Sequence, residues 1–459
     1  MGLDWLVGAP IAVGALVYVM QPLLTRFLRI RGFRLSAGVC LLTAVLCLDL
    51  ARRLPQSAAG AFWSQHWVLS TAGRPMLVFI FLVTAILLLA ASATAEGAFF
   101  CGPALTSAGM LSAVILLQPL GLAFVLLPAA LAVLVLAVSD SASDTRGPYG
   151  YLGIVSLPIP FALAAFALLQ RVSLFPDDAT LLGQSALLIA PCAILWLMLF
   201  PFQGAMRLWA QRAGAFAPAF LWTVKDAVVV YLLCALWRQY PAMRTEAVTT
   251  ILGIAGVATA VTSGVWAGAQ SNPAALLACA AMSELGIVVH GLMVGTARGT
   301  GGALFLLVSR SVAVLLCTCA LSPMPNRPAR STSPPPAGWL LETALRWVAF
   351  VLGILALSGI PPLAGFVGRR TISAALPPTS SSILLAWRAA SLGIVFGLVR
   401  VGWTWWRRPS EAGPREVRIP SLLLTLALLS CALWLALRPQ PLLTLLSTLS
   451  GGWLKPPLL

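Results

Sequence analysis

Runs of about 20 mainly apolar residues, the length that carries a helix across about 30 Å of hydrocarbon, recur along almost the whole chain. They fall near residues 5–24, 36–51, 75–93, 104–118, 120–139, 151–170, 184–202, 216–237, 247–268, 274–296, 302–320, 340–361, 382–406 and 420–437. A further apolar stretch, 362–381, follows the twelfth run and is expected to continue it past a break. Strands of a transmembrane barrel would alternate apolar and polar residues in ten-residue segments. These runs are apolar on every side, so the expected fold class is an all-α polytopic membrane protein with about 14 transmembrane helices.

Charge is too scarce for any other class. Only 9% of the 459 residues are charged, where an ordinary soluble domain carries about 25%. That excludes a soluble enzyme, a disordered chain and a secreted disulfide scaffold. The net charge of +16 does not make a nucleic-acid binder, because the basic residues are nearly all Arg and most lie between apolar runs, where they set orientation. Cys40, Cys47, Cys192, Cys234, Cys279, Cys317, Cys319 and Cys431 sit mostly within the runs, with no CxxC spacing; they read as small buried hydrophobes. Residues 1–10 hold Asp4 and no Lys or Arg, so this start reads as a retained first span rather than a signal peptide.

Two connectors stand out. One is the proline-rich stretch 322–338; the other, 406–420, carries Arg407, Arg408, Arg415 and Arg418. The loop after the first run holds Arg26, Arg29, Arg31 and Arg34. Both Arg-rich loops fall on the same side, which the positive-inside rule makes cytoplasmic, against the opposite pull of Arg52, Arg53 and Arg74. Both termini are then expected to face outward from a bacterial inner membrane.

An ionisable group at membrane depth is a functional-site hypothesis by default. Asp49, Lys225, Asp226, Glu284, His290, Arg310, Arg369 and Arg370 qualify. Asp49 sits beside Arg52 and Arg53 and reads as a solvated helix end. His290 precedes Gly291 near the end of its run and reads either as a packing histidine or as a proton relay. Lys225 lies mid-run in FLWTVKDAVVVYLLCALW, too deep for easy snorkelling. A buried lysine exchanges protons more readily than a solvated one. Asp226 follows it directly but is displaced about 100° around an ideal helix, so Glu284 is an alternative counter-ion if their helices pack together. A purely structural ion pair is the competing reading. Arg369 and Arg370 follow SGIPPLAGFVG, whose prolines and glycines break a helix. Irregular backbone at that depth is tolerated where it lines protein or a watery cavity, so this pair reads as part of an ion path or as interfacial arginines.

Four segments carry a family resemblance. LALSGIPPLAGFVGRR (355–370), AQSNPAALLACAAMSELG (269–286), LFPFQGAMRLWAQRAGAFAPAFLWTVKD (199–226) and LRPQPLL (437–443) resemble, in order and spacing, the antiporter-like membrane subunits of respiratory complex I, with NADH–quinone oxidoreductase subunit N the nearest type. The resemblance implies two inverted five-helix repeats with broken helices. It divides the chain into three N-terminal helices (1–103), a first repeat (104–246), a second repeat (247–419) and a C-terminal helix and tail (420–459). It also implies proton translocation coupled to electron transport, with quinone, flavin and iron–sulfur clusters held by partner subunits and none bound by this chain.

In such subunits a mid-membrane axis pairs a Glu on the fifth helix with a Lys on the seventh, then uses a central Lys and a cation or Glu on the broken twelfth. The central lysine matches Lys225 and the twelfth-helix cation matches Arg369. The Glu would fall near Ala123 and its Lys partner near Trp196, so both charges are gone. Ala274 replaces the Lys of the family's second motif, and Gln203 replaces the His after Pro-Phe. Losing both members of a buried pair is often neutral, whereas losing one costs about 3–5 kcal/mol. Arg369 stays charged and cannot relay a proton as Lys could. The proton path then comprises Lys225, Asp226, Glu284, His290 and Arg369, and it is either live or a vestige inside a structural bridge. A subunit of a multisubunit cation/proton antiporter, or of a membrane-bound hydrogenase or formate-oxidising complex, shares this fold and stands as the alternative. No dinucleotide, metal or nucleophile motif occurs, so this chain is expected to hold no metal and no catalytic centre of its own.

Overall fold

The computed structural model describes the chain apart from residues 1, 29, 56–58, 63–64, 93, 95–96, 119, 140–145, 173–178, 323–338, 408–418 and 455–459. It divides into two compact units, Met1–Ala205 with Arg212–Leu252 and Gly451–Leu459, and Met206–Gln211 with Gly253–Ser450.

The first unit opens with α1 (Gly2–Leu28), α2 (Ile30–Arg53), α3 (Gly73–Ser92) and α4 (Gly97–Leu116). Helix α4 packs on α1 and on α5 (Leu120–Ser139). Small residues permit this, since lipid supplies no hydrophobic drive between helices and close backbone approach must do so; a side chain at Gly102 would meet the Gly14 carbonyl at 2.9 Å. Ser107 Oγ donates to the Ala130 carbonyl at 2.8 Å, tying α4 to α5. Then follow α6 (Arg146–Ser156), α7 (Ile159–Val172), α8 (Ala179–Trp196), α9 (Gln203–Arg212, of which Met206–Gln211 is counted with the second unit), α10 (Phe216–Phe220), a π-helical turn (Leu221–Lys225) and α11 (Asp226–Gln239). Between the spans lies a small antiparallel sheet. Strands β1 (Ala59–Phe62) and β2 (Gln65–Val68) pair Ala59 with Val68, and β3 (Leu117–Gln118) joins at Trp67–Leu117. The all-α expectation therefore holds for the spans and misses this hairpin, whose strands of four residues or fewer are too short to show alternation.

Helix α12 (Glu246–Ala267) leads into the second unit, with α13 (Pro273–Met293), α14 (Ala297–Leu321), α15 (Trp339–Ser358), α16 (Ala364–Ser373), α17 (Ser381–Arg407), α18 (Ile419–Leu437) and α19 (Gln440–Leu454). Asn272 caps α13 through its side chain, accepting from the Ala274 amide at 2.8 Å. Ser283 Oγ donates to the Ala260 carbonyl at 2.8 Å, binding α13 to α12 as Ser107 binds α4 to α5. Helix α14 packs against α13, α15, α16 and α18.

Each of the fourteen expected runs falls on a helix or a broken helix. Among the described residues, eleven helices are long and apolar enough to cross a membrane, or twelve with α18 and α19, bent by 77°, taken as one. Leu120–Leu136 and Thr180–Trp196 are apolar but shorter. The chain is an integral membrane protein, with exposed Leu16, Val19, Leu42 and Leu46 on α1 and α2, and Leu385, Leu392, Phe396 and Val399 on α17. Enclosure is uneven: Phe216–Gln239 and Pro273–Met293 are each 94% buried, against 28% for Pro378–Thr404. The two spans with the highest enclosure carry Lys225 and Glu284, and Phe99–Leu116 and Ala297–Leu321 follow at 89% and 83%.

Two helices are broken in the same way. After α8, Met198 adopts φ 50° and Phe200–Pro201 is cis; after α15, Gly359 adopts φ 72° and Pro361–Pro362 is cis. In each case the left-handed residue precedes the second proline position by three. The second break is legible in SGIPPLAG; the first lies inside the apolar run 184–202, which shows no interruption in sequence.

A buried ionic clasp in the second unit was not anticipated. Arg346 Nη2 and Nε donate to Glu342 Oε1 at 2.6 and 3.0 Å, Nη2 also to Ser421 Oγ at 3.0 Å, and Nη1 to the Cys319 carbonyl at 3.1 Å. It ties α14, α15 and α18 together, and its sequence signal is a Glu–Arg pair at i, i+4. Arg346→Met is expected to destabilise the protein by about 3–5 kcal/mol, because it strands Glu342. The double change Glu342→Leu with Arg346→Met is expected to cost much less. Thermal unfolding of the purified protein in detergent checks both.

Candidate functional site

In the first unit the site is assembled where the π turn meets α11. Lys225 Nζ lies 2.7 Å from Asp226 Oδ1, and both side chains are essentially sealed, at 1% and 0% exposure. The same Nζ donates to the Trp196 carbonyl at 2.7 Å. The 100° displacement expected of neighbouring residues thus does not keep the two apart. The π turn ends at Lys225 and is wound more widely than an α-helix, and the long lysine stem folds back onto its neighbour. Trp196 is the last residue of α8, so its carbonyl has no partner further along the helix. Lysine supplies it with a hydrogen bond and meets the carboxylate as an ion pair. Tyr151 on α6 is buried within the field of the Asp226 carboxylate.

Where the resemblance places a Glu–Lys pair, the structure holds apolar contacts. Ala123 is fully buried, and its neighbour Phe124 stacks on Trp196 with centroids 5.8 Å apart and an interplanar angle of 15°. Gln203, in the position of the family's histidine, is buried at the start of α9.

The second unit gathers Glu284 of α13, Arg310 of α14 and Arg369 of α16. Glu284 is 1% exposed, and neither carboxylate oxygen has a hydrogen-bond partner among the described residues. The charges that act on it are those of Arg369 and Arg310. Arg310 Nε donates to the Ala281 carbonyl at 2.9 Å. Arg369 turns its terminal nitrogens elsewhere, Nη2 to the Leu357 carbonyl at 2.6 Å and Nη1 to Ser391 Oγ at 2.7 Å. Leu357 stands two residues before Gly359, as Trp196 stands two before Met198, so each break has a cation on the same carbonyl. Arg370, by contrast, is exposed.

Two glycines make room for this cluster. A Cβ on Gly359 would sit 2.5 Å from Arg369 Cδ and Nε, and one on Gly365 would overlap the Ala356 carbonyl and come within 3.0 Å of Glu284 Oε1. His290 stands with other partners. Its Nδ1 is 3.3 Å from the Gly253 carbonyl and its ring meets Trp387 edge-on at 5.8 Å. Asp49 pairs with Arg53 at 2.8 Å on an exposed turn, as expected of a solvated end. The cysteines are free, with Cys431 exposed, and no group of His, Cys, Asp or Glu among the described residues could hold a metal ion. Two features escaped sequence reasoning. The π turn leaves no mark in LWTVK, and the carbonyl partners of the two cations belong to backbone, which motif spacing does not reveal.

Gly359→Ala is expected to lower stability by about 1–2 kcal/mol from the left-handed backbone alone, with more from the clash with Arg369. Gly8→Ala, where a Cβ meets nothing within 4 Å, is expected to be neutral or better. Parallel thermal melts of the two variants check this.

Comparison with known proteins follows the same outline. Residues 205–397 match the family described as NADH:quinone oxidoreductase/Mrp antiporter, TM. Subunit N of NADH-quinone oxidoreductase from Parvibaculum lavamentivorans is 31% identical over 147 residues, 32% of this chain and 30% of that one. The Salinispora arenicola subunit N is 27% identical over 203 residues, 43% of this chain and 39% of that one. The matched stretches thus span well under half the length of these relatives. Likeness of fold runs further. A chain of the Mrp complex from a Dietzia species superposes with a TM-score of 0.75 at 15% identity, covering 99% of this chain and 98% of that one. A chain of respiratory complex I from Thermus thermophilus gives 0.73 at 19% identity, covering 95% and 98%. The chain therefore has the fold of these membrane subunits over nearly its whole length, and it resembles subunit N in sequence over about a third to two fifths of it.

Proposed function

We propose that this protein is a membrane subunit of a quinone-linked oxidoreductase complex of the NADH–quinone oxidoreductase type, and that it moves protons through buried charges in step with electron transfer carried out elsewhere. The reading rests on one observation above all, a lysine and a carboxylate sealed together 2.7 Å apart in a membrane span. Such a pair is expensive to bury and is retained where it works. Transfer of one proton across that contact turns ammonium and carboxylate into amine and carboxylic acid, leaving the net charge of the pair unchanged. Lys225 then accepts the next proton, Asp226 gives its own up, and the Trp196 carbonyl holds the amine in place throughout. In the second unit Glu284, Arg369 and His290 are the groups assigned to the path.

Residues 104–246 and 247–419 act as the two repeats of this channel, after three N-terminal helices and before the C-terminal helix. The partners are other membrane and peripheral subunits, which hold quinone, flavin and iron–sulfur clusters; nucleic acid has no part in it. The protein sits in a bacterial inner membrane with both termini outward and the Arg-rich loops inside. A cation/proton antiporter subunit is the second reading, favoured by the Mrp likeness of fold. Tagging the protein and identifying what copurifies separates the two: iron–sulfur and quinone-site subunits support the oxidoreductase, and small membrane subunits without redox proteins support the antiporter.

Lys225→Met is expected to lower the number of protons moved per electron while electron transfer continues, measured in vesicles containing the assembled complex. An unchanged ratio would mean that the path is vestigial and the subunit a structural bridge.

A further inference from the structure

The two breaks differ in one respect. In the first unit the cation touches both the helix-end carbonyl and a carboxylate. In the second, Arg369 touches the equivalent carbonyl and Ser391, while the buried Glu284 has a hydrogen bond to nothing among the described residues and Arg369 Nε is likewise without one. An ionised carboxylate that is sealed from water and hydrogen-bonded to nothing is far costlier than the neutral acid. A guanidinium with five donors and no accessible deprotonation can serve either set of acceptors, but it remains charged in both.

We infer that Glu284 is the proton-carrying group of the second unit, and that Arg369 is its switched counter-ion, held on the Leu357 carbonyl and Ser391 while Glu284 is protonated and drawn to the carboxylate when the proton leaves. The inference deepens the proton-path reading and rests on it. The proton departs from a Glu284 oxygen, and the negative charge left behind is met by a positive charge already present, so no ion need enter. Gly359 and Gly365 leave the space in which the guanidinium and carboxyl can approach. When Arg369 moves, the carbonyl at the α15 break loses its donor, so protonation of one side chain is felt by the broken helix.

The charged surroundings of Glu284 are few. Arg310 on α14 and Arg369 on α16 act on it. On α17, Arg388 and Arg400 are exposed, and on α15 Glu342 and Arg346 are paired with each other. Residues 253–267 of α12 carry no charge, and α13 itself adds only His290.

The test is an infrared pH titration of the full chain in lipid nanodiscs. A protonated-carboxyl band that fades as pH rises and is missing in Glu284→Gln is the expected result; its absence from the wild type, or its survival in that variant, overturns the inference. Arg369→Gln is expected to move the fading to higher pH by about one to three units, since an opposite charge has been removed. Ser391→Ala frees Arg369 to reach the carboxylate and is expected to move it lower. Opposed shifts are a result that a merely structural arginine would not produce. If Arg369→Gln does not fold, Ser391→Ala decides alone, and an unmoved band overturns the switch. The readout is a proton on one carboxyl, so its failure leaves the Lys225→Met ratio standing, and failure of that ratio leaves the Glu284 titration intact.

Discussion

A broken helix inside a membrane leaves carbonyls that lipid cannot satisfy, and the interior of this protein is arranged around supplying them. Backbone groups without partners cost several kcal/mol apiece in hydrocarbon, so a break survives only where a donor is brought to it. Here the donor is a cation each time, Lys225 at Trp196 and Arg369 at Leu357. The charge then creates a second requirement, a carboxylate within reach, which Asp226 and Glu284 meet in different ways. Backbone geometry, charge placement and the enclosure of α11 and α13 are consequently one constraint seen at three scales.

The cations are not interchangeable at these positions. Lysine offers three donors on a flexible stem and can give up its charge, which suits a site where carbonyl and carboxylate are served together. Arginine is planar and permanently charged, and it divides its donors between a carbonyl and a serine hydroxyl. Of the two cations, lysine is the one whose charge can change, whereas beside Arg369 the titratable partner is the Glu284 carboxyl.

Much of this architecture is legible in the sequence, and the exceptions have physical reasons. Apolar runs longer than any soluble helix needs locate the helices, because the hydrocarbon thickness fixes their length. The fourteen runs correspond to eleven long apolar helices, the bent pair α18 and α19, and the apolar stretches Leu120–Leu136 and Thr180–Trp196 among the described residues. Lys225 and Arg369 stand out because charge at that depth is rare. Their partners do not, since a peptide carbonyl belongs to every residue and only the fold selects Trp196 and Leu357. The pairing of adjacent Lys225 and Asp226 was hidden by the assumption of a regular α-helix, which the π turn breaks. Gly359 shows the reverse case, where the residue type alone foretells a left-handed kink.

The aromatic stack of Phe124 on Trp196 has a consequence for how the first unit responds to motion. Helix α5 carries no carboxylate, and the acidic group that Lys225 meets at 2.7 Å is its neighbour in the chain. Its charge is then compensated by covalent proximity rather than by the alignment of separate helices. A sliding of α5 along α8 would change dispersion contacts and little else, so the amine is electrically insulated from rearrangements that would unseat a pair reaching between those helices.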